Sequence, residues 1–307
     1  MTSPQLLFVH ALSPLHAGTG QSIGAIDLAI ARDRATQFPY LPGSSLKGSL
    51  RDVARQTLKR NDSSDTELVK QLFGPDTKNA SEHAGALIVS DANLLLLPVR
   101  SVAGTFAWVT SPYLLHRFAR DARAANILPS LPSFPNGVED CVIGDGSALV
   151  VKEGAGGKVE RVIFEDLDLV PSKQSSLNVF AAALGKQVFA EAYWQEMLTK
   201  RLCIVHDDVM TFLSEHATDV VARISLDDDT KTVKTGQLWY EESLPTESIL
   251  MSFIEAQAIR SRGQEAALAP RDVIQKAAGF LNGSIQLGGK ATVGRGRCQL
   301  RLSGGPS

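Results

Sequence analysis

The sequence contains few cysteines and no long hydrophobic run, and these absences exclude several classes of protein. Three cysteines lie far apart among 307 residues and form neither a C-x-x-C pair nor a cluster with histidine: Cys141, Cys203 and Cys298. We therefore expect reduced, buried thiols and a cytoplasmic protein. No stretch approaches the roughly 18 apolar residues of a membrane span, and Met1–Ala11 lacks the pattern of a secretory signal. We expect no membrane partner.

The chain also lacks an excess of charge of either sign, but its charges are unevenly distributed. The net charge of −2, from 31 basic and 33 acidic residues, argues against a protein that coats nucleic acid nonspecifically. Residues 1–60 carry seven Lys or Arg against three Asp or Glu, and residues 271–307 carry six against one. The middle is therefore acidic. If the two ends are adjacent in the fold, they form one positive groove on an acidic body.

The first 60 residues combine a strand, a glycine-containing loop and a basic helix. The apolar run Leu7–Leu12 predicts a buried strand, and proline and glycine then exclude regular structure until about Ile26. Asp27 lies at the exit of this loop. The later apolar spacing predicts a helix capped by Ser44 or Ser45, whose free amides would attract a phosphate.

That helix carries four cations at intervals of four residues: Lys47, Arg51, Arg55 and Lys59. This spacing places them on one basic stripe beside the apolar face. Two interpretations remain open, a nucleic-acid surface and an ordinary solvated helix face.

The C-terminal segment Leu287–Arg297 interleaves four glycines with three cations. Backbone amides at glycines can form a concave anion site, and the absence of side chains lets a sugar-phosphate backbone approach. The candidate RNA-binding residues here are Gly288, Gly289, Lys290, Gly294, Arg295 and Gly296. The segment is not a P-loop, because that motif requires glycine at Ser284 and Ser or Thr at Ala291, so we exclude a Walker-type NTPase.

The middle of the chain predicts mixed α and β structure. Predicted strands are Ala86–Val99, Ala148–Val151, Val159–Phe164, Val220–Ile224 and Ile249–Ala258. Predicted helices are Pro112–Asn126, Leu177–Lys200 and Pro270–Asn282. The pattern over residues 149–164 predicts a hairpin with a glycine tip, and the pattern over residues 126–146 predicts an insertion.

Three ordered motifs resemble one known family. HALSPLHAGTGQSIGAIDLAIARDRAT, FPYLPGSSLKGSLRD and GGKATVGRGR are similar to the RAMP-superfamily backbone subunits of type III-B CRISPR effector complexes, the Cmr complexes, and LWYEESLP adds to the resemblance. It implies an α+β fold with a ferredoxin-like, RRM-related core and large insertions. We expect one domain over residues 1–307, its core formed by about 1–100 and 220–307, with lid- or thumb-like insertions within about 101–219.

The resemblance also implies partners and chemistry. The partners would be guide RNA, single-stranded target RNA, copies of the protein in a filament and the other subunits of the complex. Asp27 matches the aspartate that the family uses to cleave RNA, although by itself an aspartate at a loop end is usually a turn or cap residue. We expect it to act as base or as ligand of a divalent cation, Mg²⁺ or Mn²⁺. His16, in the same loop, is a second catalytic candidate.

Tyr240, Glu241 and Glu242 form a further catalytic candidate. An aromatic side chain followed by two acids can position a base and bind a cation, and the resemblance implies that this region lies near the cleavage centre of an adjacent subunit. The alternative is an edge strand with Trp239 in the core and both acids in water. For the whole protein, the hypotheses are a guide-dependent endoribonuclease and an RNA-binding backbone subunit without cleavage activity.

Overall fold

The computed structural model describes residues 4–20, 26–58, 63–75, 84–127, 130–154, 158–227, 233–260 and 266–304. The strands in chain order are β1 (Gln5–Ala11), β2 (Tyr40–Leu41), β3 (Leu87–Val89), β4 (Ala92–Arg100), β5 (Phe106–Thr110), β6 (Asp140–Ile143), β7 (Val151–Glu153), β8 (Val159–Phe164), β9 (Leu167–Lys173), β10 (Leu202–Val205), β11 (Asp219–Leu226), β12 (Val233–Ser243), β13 (Ile249–Ala256), β14 (Ile259–Arg260), β15 (Ala266–Leu268), β16 (Gly283–Gln286) and β17 (Arg297–Leu302). The helices are α1 (Gly43–Leu58), α2 (Ser63–Phe73), α3 (Pro112–Ala124), α4 (Ser175–Val188), α5 (Ala192–Arg201), α6 (Asp207–His216) and α7 (Pro270–Ala277).

Six of these elements form a βαββαβ unit. In chain order they are β1, α1, β4, β13, α7 and β17, and the strands lie in the order β17-β1-β13-β4, antiparallel throughout. This is the ferredoxin-like arrangement that the resemblance implied. Since β1 pairs with β17, the two basic ends of the chain are adjacent, as the charge distribution required for a single basic groove.

The segment between β4 and β13 continues the same sheet. Strand β5 pairs with β4, and β10, β6, β9, β8 and β7 follow outward. Strands β11 and β12 form a separate two-stranded hairpin. The division into a discontinuous core and an inserted 101–219 segment stays a prediction.

The alternation of side chains along β1 explains why helices cover both faces of the sheet. Leu7 and Val9 belong to the core beneath α1, α2 and α7, whereas Leu6 and Phe8 belong to the core beneath α3, α4 and α5. A strand with apolar residues at every position must be buried on both faces, because successive side chains point in opposite directions.

Several predicted boundaries differ from those observed. The predicted helix Leu177–Lys200 is two helices, because the chain is extended at Phe189, which places this ring in the core, and Gly185 lets the backbone of Gln195 pack closely. The predicted strand Ala148–Val151 is wrong: Ala148 and Leu149 lie in a turn and β7 begins at Val151.

Other predicted elements are confirmed with small changes. Helix α7 ends at Ala277 rather than Asn282, and the strand predicted over Ala86–Val99 is broken into β3 and β4 at Ser90 and Asp91. Strands β7 and β8 pair as the expected hairpin, whose tip, residues 155–157, lies outside the described residues.

The predicted serine cap of α1 is wrong. The helix begins at Gly43, so Ser44 and Ser45 are exposed in its first turn, and the Gly43 amide donates to Asp91 Oδ1 at 2.7 Å. Only glycine fits at position 43, since a Cβ there would lie 2.7 Å from the Val89 carbonyl oxygen. The carboxylate of Asp91 already satisfies part of the helix terminus that we expected to attract phosphate.

The three cysteines are buried and free, as predicted. Among the described helices, none is long and apolar enough to cross a membrane.

Candidate active site

Asp27 lies on a loop that runs along strand β12. The Leu28 amide donates to the Tyr240 carbonyl oxygen at 3.1 Å, and the Glu242 amide donates to the Leu28 carbonyl oxygen at 3.0 Å. The Asp27 side chain is exposed, and its Oδ2 accepts a hydrogen bond from the Tyr240 amide at 2.8 Å. One carboxylate oxygen therefore orients the group, while within the described residues Oδ1 has no hydrogen-bond donor.

His16 is buried, 8 % exposed, and attached to the same strand. Its Nδ1 lies 2.7 Å from the Glu242 carbonyl oxygen. A carbonyl oxygen only accepts, so Nδ1 carries the proton that His16 donates in this contact. Nε2 lies over Gly18, where a Cβ would be only 2.6 Å away.

The C-terminal loop packs directly on the His16 backbone. The Gly289 amide donates to the His16 carbonyl oxygen at 2.9 Å, and a Cβ at Gly288, whose φ is +70°, would lie 2.3 Å from that oxygen. At Gly296, with φ of +75°, a Cβ would lie 1.9 Å from the Leu287 carbonyl oxygen. These glycines are required by close backbone approach, whereas Gly294 has a positive φ and open space around it.

Glu241 is the centre of an ion-pair network. Its carboxylate accepts hydrogen bonds from Trp239 Nε1 at 2.8 Å and Lys290 Nζ at 2.9 Å, and Arg223 Nε lies at 3.3 Å. Burial alone raises the pKa of Glu241, but the hydrogen bonds from Trp239 and Lys290 and the charges of Lys290 and Arg223 lower it to about 2. So weak a base is poorly suited to accept a proton near neutral pH.

Glu242 is the more deeply buried acid, only 2 % exposed. Its Oε2 accepts from the Ile30 amide at 3.1 Å, and its Oε1 accepts from Thr218 Oγ1 at 3.0 Å and from the guanidinium of Arg32. The residue thus fastens the segment after Asp27 to β12.

The alternative interpretation of this strand, with both acids in water and Trp239 in the core, is wrong. Glu241 and Glu242 are buried, Trp239 is half-buried, and Tyr240 is 41 % exposed. Catalytic roles for Tyr240, Glu241 and Glu242 stay predictions, but the geometry favours positioning: the Tyr240 amide holds Asp27, and the Glu242 carbonyl group holds His16.

The side chains near Asp27 could supply only some of the ligands that a divalent cation needs. Within the described residues, no group of three His, Cys, Asp or Glu side chains lies close enough to hold a metal ion. Mg²⁺ is commonly held by one or two carboxylates together with substrate phosphates. Asp27, with Oδ1 exposed, fits as one such ligand, and the remaining ligands would come from RNA and water.

The cations of α1 lie apart from this network. Lys47 Nζ donates to the Leu87 carbonyl oxygen at 2.8 Å, and Arg51 donates to the Gly74 carbonyl oxygen at 3.0 Å. Burial and the nearby charge of Arg51 lower the pKa of Lys47. Arg55 lies 3.7 Å from Asp52, and Lys59 lies outside the described residues. RNA binding by Ser44, Ser45, Lys47, Arg51 and Arg55 stays a prediction.

Comparison with known proteins defines the family. The model of the RAMP superfamily matches residues 8–299. This chain belongs to the RAMP superfamily. The CRISPR system Cmr endoribonuclease Cmr4 of Pyrococcus furiosus is 35 % identical to this RAMP protein over 301 residues, 97 % of this chain and 95 % of the relative.

Two solved structures show the same fold. Oligomeric Cmr4 from Pyrococcus furiosus superposes with a TM-score of 0.73 at 26 % identity and covers 98 % of each chain. A chain of the type III-B Cmr-beta complex bound to cognate target RNA gives a TM-score of 0.72 at 20 % identity, over 98 % of this chain and 97 % of that one. The second likeness shows the fold alone.

Three residues of the candidate site were missed by sequence reasoning. Arg32, Thr218 and Arg223 bind the two acids of β12, although Arg32 is 210 residues from Glu242 in the chain. Local periodicity carries no signal for such pairs. The only available indication was composition, since two adjacent acids that become buried require cations or other donors.

Proposed function

We propose that this RAMP protein is a repeating subunit of a cytoplasmic type III-B CRISPR ribonucleoprotein, which binds guide RNA and cleaves complementary target RNA. The observation that carries the proposal is the exposed carboxylate of Asp27, oriented by the Tyr240 amide, in a chain 35 % identical to a Cmr endoribonuclease. Its partners would be guide RNA, single-stranded target RNA, further copies of itself and the other subunits of a Cmr complex.

In the proposed reaction Asp27 acts on the attacking hydroxyl group. The 2′-hydroxyl of the target nucleotide, or a water molecule, attacks the adjacent phosphorus and gives its proton to Asp27 Oδ1, while the bond to the 5′-oxygen breaks and that oxygen takes a proton from solvent. Oδ2 stays bonded to the Tyr240 amide, so the carboxylate keeps its orientation during the transfer. Asp27 would also hold the divalent cation, whose charge would lower the pKa of the nucleophile and offset negative charge on the phosphate.

His16 has a supporting role in this proposal. Its Nδ1–H donates to the Glu242 carbonyl oxygen, which sets the tautomer, and its backbone carbonyl group anchors Gly289. The residue therefore couples the Asp27 loop to the glycine-rich loop, in which the amides of Gly289, Gly294 and Gly296 donate to carbonyl groups of the protein.

Asp27→Asn in the reconstituted ribonucleoprotein tests the catalytic role. Asparagine retains an oxygen that can accept from the Tyr240 amide but cannot accept the proton or hold a cation well. We expect cleavage of labelled complementary RNA to fall at least about 100-fold, the usual contribution of a general base, with guide binding and assembly unchanged. The control is Asp52→Asn, which removes the same charge from an exposed position on α1.

Two outcomes would contradict the proposal. Cleavage by Asp27→Asn at the wild-type rate would exclude Asp27 as the catalytic group. A wild-type complex that binds target RNA but does not cut it with Mg²⁺ or Mn²⁺ would support the alternative, a backbone subunit without cleavage activity.

Assembly supplies a second test. If each subunit covers a fixed length of RNA, native mass spectrometry should show the subunit number rising in steps with guide length. The cuts in the target should then be evenly spaced, because each subunit brings one Asp27 to the same place in its repeat. Irregular cut spacing would exclude the filament.

A further inference from the structure

One part of the sheet has a polar face that the helices bury only in part. On β1, Phe8 and His10 face α4 and α5 and are buried, whereas their neighbours on β17, Arg301 and Gln299, are half-exposed. Arg297 lies on the same face of β17 and is exposed, whereas Cys298, Leu300 and Leu302 occupy the opposite face and belong to the core. On the α4 and α5 side, the apolar core thus ends at β1, and β17 presents polar side chains to solvent.

This face forms one wall of a cavity of about 450 Å³. The opposite wall is the break between α4 and α5, which contributes Phe189 and the half-exposed ring of Trp194. The volume lies within the usual range for sites that hold small organic groups, about 300–1,000 Å³. The cavity reaches Leu12, at the beginning of the loop that carries His16 and Asp27.

The charges on the walls favour an anionic occupant. Arg297 and Arg301 form no ion pair with any carboxylate in the described part of the chain. Glu191 is the only acid among the lining residues. The buried His10 instead bonds Glu247 at 2.7 Å, so this pair is internally satisfied.

The two arginines suit a chain of phosphates rather than one isolated anion. They are four residues apart on one strand, which places their Cα atoms about 13 Å apart at the usual rise of a strand. Between them lies Gln299, whose amide donates to the Leu300 carbonyl oxygen at 3.4 Å, and across the cavity lies the half-exposed ring of Trp194, which stacks on Phe189. Arginine for phosphates, aromatic rings for stacking and amides for base edges are the combination by which proteins bind single-stranded RNA.

We propose that the β17–Trp194 cavity is a binding subsite for single-stranded RNA, where Arg297 and Arg301 contact phosphates and a base stacks on Trp194. The proposal rests on the proposed function, because it extends the RNA path beyond the Asp27 loop. The other occupant to be tested is a peptide segment of a neighbouring subunit, which has less support because the cavity offers two unpaired cations.

The test measures RNA affinity of the purified protein without divalent ions, so cleavage plays no part in the readout. A short fluorescein-labelled single-stranded RNA is titrated at several salt concentrations with the wild type, Arg297→Gln and Arg301→Gln. Each lost phosphate contact should flatten the slope of log K against log salt by about 0.7. The ratio of Kd values at about 200 and 50 mM salt should then fall about 2.6-fold per arginine. The matched control is Arg271→Gln, which removes an exposed arginine from α7 on the other side of the sheet.

Trp194 provides an independent readout. RNA should quench tryptophan fluorescence more strongly in the wild type than in Trp194→Phe, in which only Trp108 and Trp239 still emit. Arg297→Lys should retain the wild-type salt slope, which separates loss of charge from misfolding.

Unchanged salt slopes in both arginine variants, together with equal quenching in the wild type and in Trp194→Phe, would overturn the proposal. Unchanged slopes with weaker self-association in sedimentation velocity without RNA would assign the cavity to a protein segment instead. Failure of Asp27-dependent cleavage would remove the proposed nuclease but leave this measurement valid, so the two ideas can fail separately.

Discussion

The carboxylates of Asp27 and of Glu241 and Glu242 lie on neighbouring backbone segments but in opposite environments. Asp27 is exposed and accepts one hydrogen bond, from the Tyr240 amide. Glu241 and Glu242 are buried, and each contacts at least three donors. A carboxylate whose lone pairs are occupied stabilises structure, whereas one with a free oxygen can meet a substrate. Proximity in the fold therefore does not make the three acids equivalent.

The largest effect should come from uncoupling Glu242. Glu242→Gln removes the negative charge that faces the largely buried guanidinium of Arg32, and we expect the free energy of unfolding to fall by about 3 kcal/mol in urea denaturation. Asp27→Asn should change it by less than about 0.5 kcal/mol, as for a surface residue. If Glu242→Gln fails to fold, Thr218→Val removes a single hydrogen bond to the same carboxylate. Equal stabilities of the Asp27 and Glu242 variants would contradict the distinction between an exposed and a buried carboxylate.

Lowering the pH should weaken the contribution of Glu241 to stability. The pKa of Glu241 is lowered from 4.5 to about 2 in the folded protein. Its contribution is therefore complete above pH 4.5 and is lost as the pH falls towards 2, with a size of about 2 to 3 kcal/mol. The stability difference between wild type and Glu241→Gln should shrink over that range. Glu196→Gln, from an exposed pair with Lys200, is the control and should show a much smaller change. A pH-independent difference for Glu241→Gln would mean that the carboxylate is not stabilised by its cations.

Two glycines of the C-terminal loop that packs on His16 should differ in the reason why each is required. Gly294→Val forces a branched residue into a φ of +81°, so we expect a loss of about 1 to 2 kcal/mol and weaker assembly on RNA. Gly288→Ala adds a clash with the His16 carbonyl oxygen to the same type of strain, and it should therefore also reduce cleavage. Thermal unfolding and single-turnover cleavage measure the two effects. Wild-type cleavage by Gly288→Ala would show that the contact does not position the site.

The smallest effect should come from replacing single cations of α1. Lys47 has a lowered pKa because of burial and Arg51, and a phosphate would relieve that repulsion. Lys47→Ala should therefore flatten the slope of log K against log salt by about 0.7. Arg55→Ala removes a cation near Asp52 and should change the slope less. An unchanged slope for Lys47→Ala would show that Lys47 has only a structural role, through its hydrogen bond to the Leu87 carbonyl oxygen.

The sequence alone predicted the features that depend on nearby residues and on family motifs. The apolar run before Ser13, the amphipathic pattern from Leu46 to Leu58 and the ordered motifs at both ends were enough for the first strand, for α1 and for the ferredoxin-like core. They also singled out Asp27 in its loop. The N-cap of α1 could not be found this way, because the group that accepts from Gly43 is Asp91, 48 residues away.

The hydrogen-bond partners of the buried polar side chains can be seen only in the tertiary structure. The donors to Glu241 and Glu242 include Arg32, Thr218 and Lys290, which are 210, 24 and 49 residues away in the chain from the acids they contact. The state of a carboxylate depends on its burial and on the number of donors around it, and both are properties of long-range packing. The sequence by itself shows that Asp27, Glu241 and Glu242 are acids. Their chemistry differs because folding buries Glu241 and Glu242 among cations and leaves Asp27 exposed to solvent.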